Sequence, residues 1–125
     1  MSAMTYDIVA LTKTNAAFRR EVVTSEHSQV VVMTIPPGGE IGEEVHDGVD
    51  QVLVFVEGDG EAIFAGESSP VGPDSLAFMP AGTRHNFRNT GSTALRLFTV
   101  YAPPEHAAGT VHQTKAEADA AEAHR

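Results

Sequence analysis

Apolar residues in this chain come in short runs at strand-like spacing, with almost no recurrence at every third or fourth position. Residues 18–24, 28–35, 40–45, 51–56, 61–65, 75–79, 85–89 and 94–101 each read as a β-strand. Between them stand Pro36-Pro37-Gly38-Gly39, Glu57-Gly58-Asp59-Gly60, Gly72-Pro73, Pro80-Ala81-Gly82 and Thr90-Gly91-Ser92, all residues with turn chemistry. Eight strands packed this closely predict an all-β sandwich or barrel. Residues 30–35 and 52–56 are apolar on both faces, which a single solvated sheet does not need. One face is expected to fill a barrel, the other to meet a second layer or a partner subunit. The pattern changes at Thr114-Lys115-Ala116-Glu117, where capping-box spacing precedes an alanine-rich run to Ala123 and predicts one short C-terminal helix. Residues 102–113, which include Pro103-Pro104, are expected to be irregular and to lie against the barrel.

A chain of 125 residues supports one core, and neither repeat nor linker divides it. The expectation is a single domain over residues 1–125, with a barrel core at about 17–102 and the irregular segment and helix in 103–125. Eight Lys and Arg against seventeen Asp and Glu leave a net charge of -9, and no cation occurs between Arg20 and Arg84. Such a surface repels phosphate backbones and anionic lipid, so neither nucleic acid nor membrane is an expected partner. The longest apolar runs are strand-sized and far short of a membrane span, and the start lacks the pattern of a signal peptide, so the cytoplasm is the expected location. Without cysteine there is no disulfide, thiolate metal site or cysteine nucleophile. Any metal must be held by histidine, carboxylate or amide.

Four residues offer that chemistry: Glu44, His46, Gln51 and, far along the chain, His85. Residues two apart in a strand face the same way, so Glu44 and His46 are expected to aim together while Val45 turns away. A turn at residues 47–50 can return Gln51 to the same pocket, and only folding can add His85. Two imidazoles, a carboxylate and an amide oxygen suit iron, manganese, nickel, cobalt or zinc, and ligand softness alone does not choose among them.

With these residues in place, the sequence resembles the cupin superfamily. The first cupin motif runs glycine, five residues, His, one residue, His, three or four residues, Glu, six residues, glycine. Here Gly38, Glu44, His46, Gln51 and Gly58 stand at those spacings. The second motif is matched by Pro80, Gly82, His85 and Asn89, with Asp74 in place of its opening glycine. Two ligand positions therefore depart from the family, Glu44 for histidine and Gln51 for glutamate. Amides hold divalent metals less tightly than carboxylates, so the site is expected to bind metal more weakly than the usual cupin set. The resemblance implies a small double-stranded β-helix, the jelly-roll barrel, with the cluster inside it and often a homodimer. It does not choose a function, because cupins include dioxygenases, isomerases, epimerases and non-catalytic binding or storage proteins.

The ordinary reading of a lone histidine is structural, and that of Glu44 is a solvated charge beside Glu43; their motif positions make Glu44, His46 and His85 candidate catalytic and metal-holding residues, with Gln51 as fourth ligand. Gly58, Pro80, Gly82 and Asn89 read as turn-shaping residues. Phe55, Met79 and Phe87 read first as core, and in a cupin barrel as the candidate wall of a pocket for an aromatic or otherwise greasy small molecule, Phe87 foremost. His27, His106, His112 and His124 fall outside both motifs and read as surface or tail residues, with His106 and His112 able to cover the barrel mouth. Two functions follow: a metal-dependent enzyme of dioxygenase or isomerase type acting on a small organic substrate, or a non-catalytic small-molecule-binding or structural barrel with weak or no metal.

Overall fold

Residues 1–123 are described by the computed structural model, and His124 lies outside them. In chain order the elements are α1 (Ile8–Thr14), β1 (Arg19–Thr24), β2 (Gln29–Ile35), β3 (Asp50–Glu57), β4 (Gly60–Phe64), β5 (Glu67–Val71), β6 (Leu76–Met79), β7 (His85–Asn89), β8 (Leu95–Ala102), β9 (Val111–His112) and α2 (Lys115–Ala123). A six-stranded antiparallel sheet has the order β6-β3-β8-β2-β1-β9, and a three-stranded sheet has the order β5-β4-β7. Both contribute to one core, the all-β architecture that the strand pattern predicts and the jelly roll that the family resemblance implies.

The inward positions are graded along the barrel. On β8 the inward residues are Leu95, Leu97, Thr99 and Tyr101, and on β2 they are Gln29, Val31, Met33 and Ile35, with Val32 buried on the opposite face. Strand register then stacks them in rows across the large sheet. Ile35 with Leu95, and Met33 with Leu97 and Phe55, form an apolar end, whereas Gln29, Tyr101, Gln51 and Met79 form the row at the other end. Water is excluded from the first end by side-chain volume, and polar chemistry collects at the second.

Seven of the eight expected strands are present to within a residue at either end. Residues 40–45 are not a strand. They pair with the β7 backbone through isolated bridges, Glu40 with Arg88 and Glu44 with His85, and the Gly42 N–H donates instead to the Asn86 side chain at 2.9 Å, because Gly38 and Gly42 take φ values of +75° and +105° that break an extended run. Three elements were absent from the sequence pattern. Helix α1 has seven residues, too few to display a helical period, and starts where the Asp7 carboxylate accepts the Ala10 N–H at 3.1 Å. Strand β5 is mostly polar and exposed, as an edge strand can be, and β9 has two residues. The C-terminal helix forms as its capping signal predicts: the Thr114 hydroxyl accepts the Glu117 N–H at 3.2 Å, and the Glu117 carboxylate accepts the Gln113 N–H at 2.6 Å.

Gly58 ends the first motif for a steric reason. Its φ is +89°, and a Cβ there would lie 2.5 Å from the Ala94 carbonyl oxygen. Asp74, where the second motif has glycine, also adopts positive φ, +72°, and donates its N–H to Phe55 O at 2.9 Å. Aspartate is among the few residues that tolerate this conformation, which accounts for the departure. Asn89 donates to the carbonyls of Ile35 and Thr93 and accepts the Gly91 N–H, so it ties the β7 turn together.

The outer face of the large sheet carries Phe78, Val52, Val100 and Val30 in one cross-strand row. Leu76 and Phe78 on the edge strand are 62% and 56% exposed. Among the described residues no helix is long and apolar enough to cross a membrane.

Candidate metal and small-molecule site

The loop bearing Glu44 and His46 is held across the polar end of the barrel by backbone hydrogen bonds. Glu44 and His85 exchange N–H···O bonds of 2.8 and 2.9 Å, and the Gly82 N–H donates to His46 O at 3.0 Å. The turn after Pro80 thus anchors both histidines at once. Glu44 and His46 do aim together, as expected, and Val45 faces solvent, but backbone bridging to β7 sets this geometry and not membership of a strand. His46 Nε2 lies 3.0 Å from Glu44 Oε2, and His46 Nδ1 lies 3.3 Å from Glu105 Oε1. The imidazole is thereby held between two carboxylates. The Nε2 approach to Glu44 is the shorter of the two contacts. The rings of His46 and His85 lie 5.4 Å apart, and Tyr101 meets His46 edge-on at 5.7 Å.

Each group's protonation follows from these neighbours. Burial alone would lower the His46 pKa, but Glu105 and Glu44 outweigh it and push the imidazolium up to about 9. Burial alone would raise Glu44, and the opposing contact with His46 outweighs it, leaving the carboxyl below its usual range. His85 behaves oppositely to His46: burial lowers it, with only partial compensation from the Thr83 carbonyl and Glu44. Its Nδ1 sits 2.8 Å from Thr83 O. A carbonyl only accepts, so the proton of neutral His85 is on Nδ1 and the Nε2 lone pair is available.

Gln51 is oriented by a similar chain of reasoning. The Thr99 hydroxyl donates to Val52 O at 2.9 Å, so it can only accept from Gln51 Nε2, 3.0 Å away. That fixes the amide, and Gln51 Oε1 is left buried with no hydrogen-bond partner among the described residues. A buried acceptor without a donor carries a desolvation penalty of about 1–3 kcal/mol, which a cation or a ligand donor would relieve.

A cavity of about 550 Å³ opens beside this cluster, walled by Glu44, His46 and Glu105 and by one side of α2. Six carboxylates line it, from Glu40, Glu43, Glu44, Glu105, Asp119 and Glu122, against the cations of Arg19 and Lys115. His85 and Gln51 lie behind that wall. The greasy pocket expected from sequence is not what lines it: Phe55, Met79 and Phe87 are packed into the core at 0–1% exposure. Phe87 instead supports the site from below, its ring 5.8 Å from that of His85. His27 is on the surface as expected, but two other histidines are not tail residues. His106 stacks edge-on against Tyr101 at 5.2 Å, and His112 Nδ1 lies 3.3 Å from Arg19 Nη1. The sequence reading missed Glu105, Tyr101 and Arg19; only the inward parity of Tyr101 with Leu97 and Thr99 signalled any of them.

A cupin-domain family model matches residues 31–101. The chain belongs to the cupin family. This cupin is 46% identical over 118 residues to the uncharacterised protein YrkC of Bacillus subtilis, an alignment covering 89% of this chain and 63% of that one. It is 29% identical over 68 residues to an oxalate-binding protein of Thermotoga maritima, covering 54% and 56% of the two chains. The chain therefore spans 63% and 56% of the length of these two curated relatives. A crystal structure from Bacillus halodurans superimposes with a TM-score of 0.93 at 42% identity, covering 95% of both chains.

The cupin's donors fit a divalent metal by type, since two imidazoles, a carboxylate and an amide oxygen form an N/O set. The preset Nε2 of His85 and the partnerless Gln51 Oε1 are the observations that favour it. Among the described residues no three His, Asp or Glu side chains stand as a ready-made metal cage, because Glu44 and His46 are turned onto each other.

Proposed function

We propose that this cupin is a metal-dependent enzyme acting on a small organic molecule, with His46, His85, Glu44 and Gln51 holding a divalent iron, manganese, nickel, cobalt or zinc ion. The observation that carries the reading is Gln51 Oε1, a buried acceptor fixed by Thr99 beside two histidines and left without a donor. The ion would act as a Lewis acid on a substrate oxygen or activate dioxygen, the chemistry of an isomerase or a dioxygenase. The chain's own residues set the rest. His85 presents Nε2 because Thr83 O holds its Nδ1 proton. Glu44 and Glu105 hold or release a proton at the two nitrogens of His46. Six carboxylates around the cavity repel a bare anion, so a small carboxylate such as the one named for the Thermotoga maritima relative needs a cation to bridge it.

The closed Glu44–His46–Glu105 contact favours a second reading, a barrel that binds a small molecule without metal. Elemental analysis of tag-free protein beside His85→Ala separates the two. One equivalent of a first-row metal, lost in the variant, supports the enzyme reading; no metal after reconstitution moves the assignment to the binding barrel.

The partner of the outer sheet face is a second copy of the chain, forming a homodimer. The Phe78–Val52–Val100–Val30 row carries no charge, and two copies at -9 repel wherever charged faces meet. Sedimentation should give a dimer for the wild type and a monomer for Phe78→Asp. A wild-type monomer would end the idea.

A further inference from the structure

The segment after β8 delivers Glu105 to His46, and a buried side chain from another strand helps to hold that segment. Gln29 is fully buried at the end of β2. Its Oε1 accepts the backbone N–H groups of Glu105 and His106 at 3.2 and 3.0 Å. Its Nε2 donates to His106 O at 2.7 Å and to Thr24 Oγ1 at 2.8 Å. The orientation is forced, since backbone N–H groups can only donate to the amide oxygen. Thr24, whose hydroxyl donates to Glu21 Oε2 at 2.6 Å, accepts from the amide nitrogen. All four hydrogen-bonding positions of the amide are used, so Gln29 pairs with the strap as a neighbouring strand would.

The strap then places two side chains against the same ring system. Glu105 Oε1 lies 3.3 Å from His46 Nδ1, and His106 packs edge-on to Tyr101, which packs edge-on to His46. Neither Gln29 nor Glu105 falls within residues 31–101, the part of the chain matched as cupin domain. We propose that Glu105 is a positioning residue that accepts the Nδ1–H of His46 and so directs Nε2 toward Glu44 and the site, and that Gln29 acts on the site chiefly by holding Glu105. A histidine whose far nitrogen is bound in this way keeps one ring orientation and one tautomer, which governs its use as a donor.

The proposal rests on the metal reading for its affinity arm, so the test has a metal-free arm as well. In metal-free protein, nitrogen-15 NMR should find a His46 Nδ1–H resonance protected from solvent exchange. It should vanish in Glu105→Ala and in Gln29→Ala and persist in Glu105→Gln, whose amide oxygen still accepts. If Gln29→Ala fails to fold by circular dichroism, Gln29→Met, of similar volume without polar atoms, replaces it. In the second arm cobalt(II) is titrated by its visible absorption. Each alanine variant is expected to lose about 10- to 100-fold in affinity, the usual effect of removing a partner behind a ligand. The double variant should lose no more than the worse single, because both act through one contact. Additive losses would make Gln29 merely structural and overturn its assignment. A missing Nδ1–H resonance in the wild type, or full cobalt affinity in Glu105→Ala, would overturn that of Glu105. A wild type that binds no cobalt but shows the protected resonance refutes the metal reading and leaves the positioning role standing.

Discussion

Metal-free His46→Ala protein is expected to be less stable than the wild type by about 3 kcal/mol near neutral pH, and by less as the pH rises. The variant leaves Glu44 and Glu105, with side chains 23% and 17% exposed, facing each other across a vacated imidazolium. Removing one partner of a buried ion pair costs about 3–5 kcal/mol, and residual solvent access places this site at the lower end. The pH dependence follows from the sign of the shift. His46 is raised from 6.5 to about 9 in the folded chain. Its ionic contribution is therefore fully present below 6.5 and is lost as the pH climbs through about 9. Urea unfolding at about pH 6 and about pH 10 measures it: the deficit of the variant should be larger at the lower pH, and only the packing loss should remain at the higher. An equal deficit at both would mean that His46 is not held as an imidazolium. Metal binding is linked to the same proton. A cation at Nε2 must displace it, so cobalt affinity should rise with pH over that range and binding should release a proton.

The sequence made the barrel legible because its physics is local. Short apolar runs of strand length along β2, β3 and β8 report which segments form the sheet, and proline and glycine mark where strands must stop. Residues 40–45 misled because the inward parity changes within them: Ile41 is buried but so are the even positions Glu44, in part, and His46, with the switch at Gly42, whose φ of +105° prevents a continuous ladder. Helix α1 escaped because it is stabilised by packing on β2, β3 and β8, a tertiary cause that seven residues cannot encode as a period. The motif residues of the site were legible from spacing alone. Glu105 was not, since it reaches His46 through a strap whose course depends on Gln29, some seventy-six residues away in sequence. The greasy pocket was misread for a similar reason: strand parity tells that Phe87 points inward, but not that Phe55 and Phe64 already fill the space in front of it.

Gln51→Glu should have effects of opposite sign with and without metal, and that inversion tests the site more sharply than loss of a ligand. Gln51 is 4% exposed, and its amide nitrogen supplies the donor that Thr99 accepts. A carboxylate there loses that donor and adds a buried negative charge to the one on Glu44. Without metal the variant should lose about 2–4 kcal/mol of stability, the cost of an incompletely compensated buried charge. With a divalent ion the same charge becomes a ligand in place of a neutral amide, and affinity should rise on the order of 100-fold, because charge on the ligands is what tunes such sites. Competition with a chelator for zinc or manganese, beside thermal unfolding with and without the ion, reads both effects. Destabilisation unaccompanied by tighter binding would place Gln51 Oε1 away from any ion and make its partnerless oxygen an acceptor for an organic ligand. Tighter binding would identify the amide at this position as the reason the native site holds metal weakly, with Glu44 carrying the negative charge that the family usually places at residue 51.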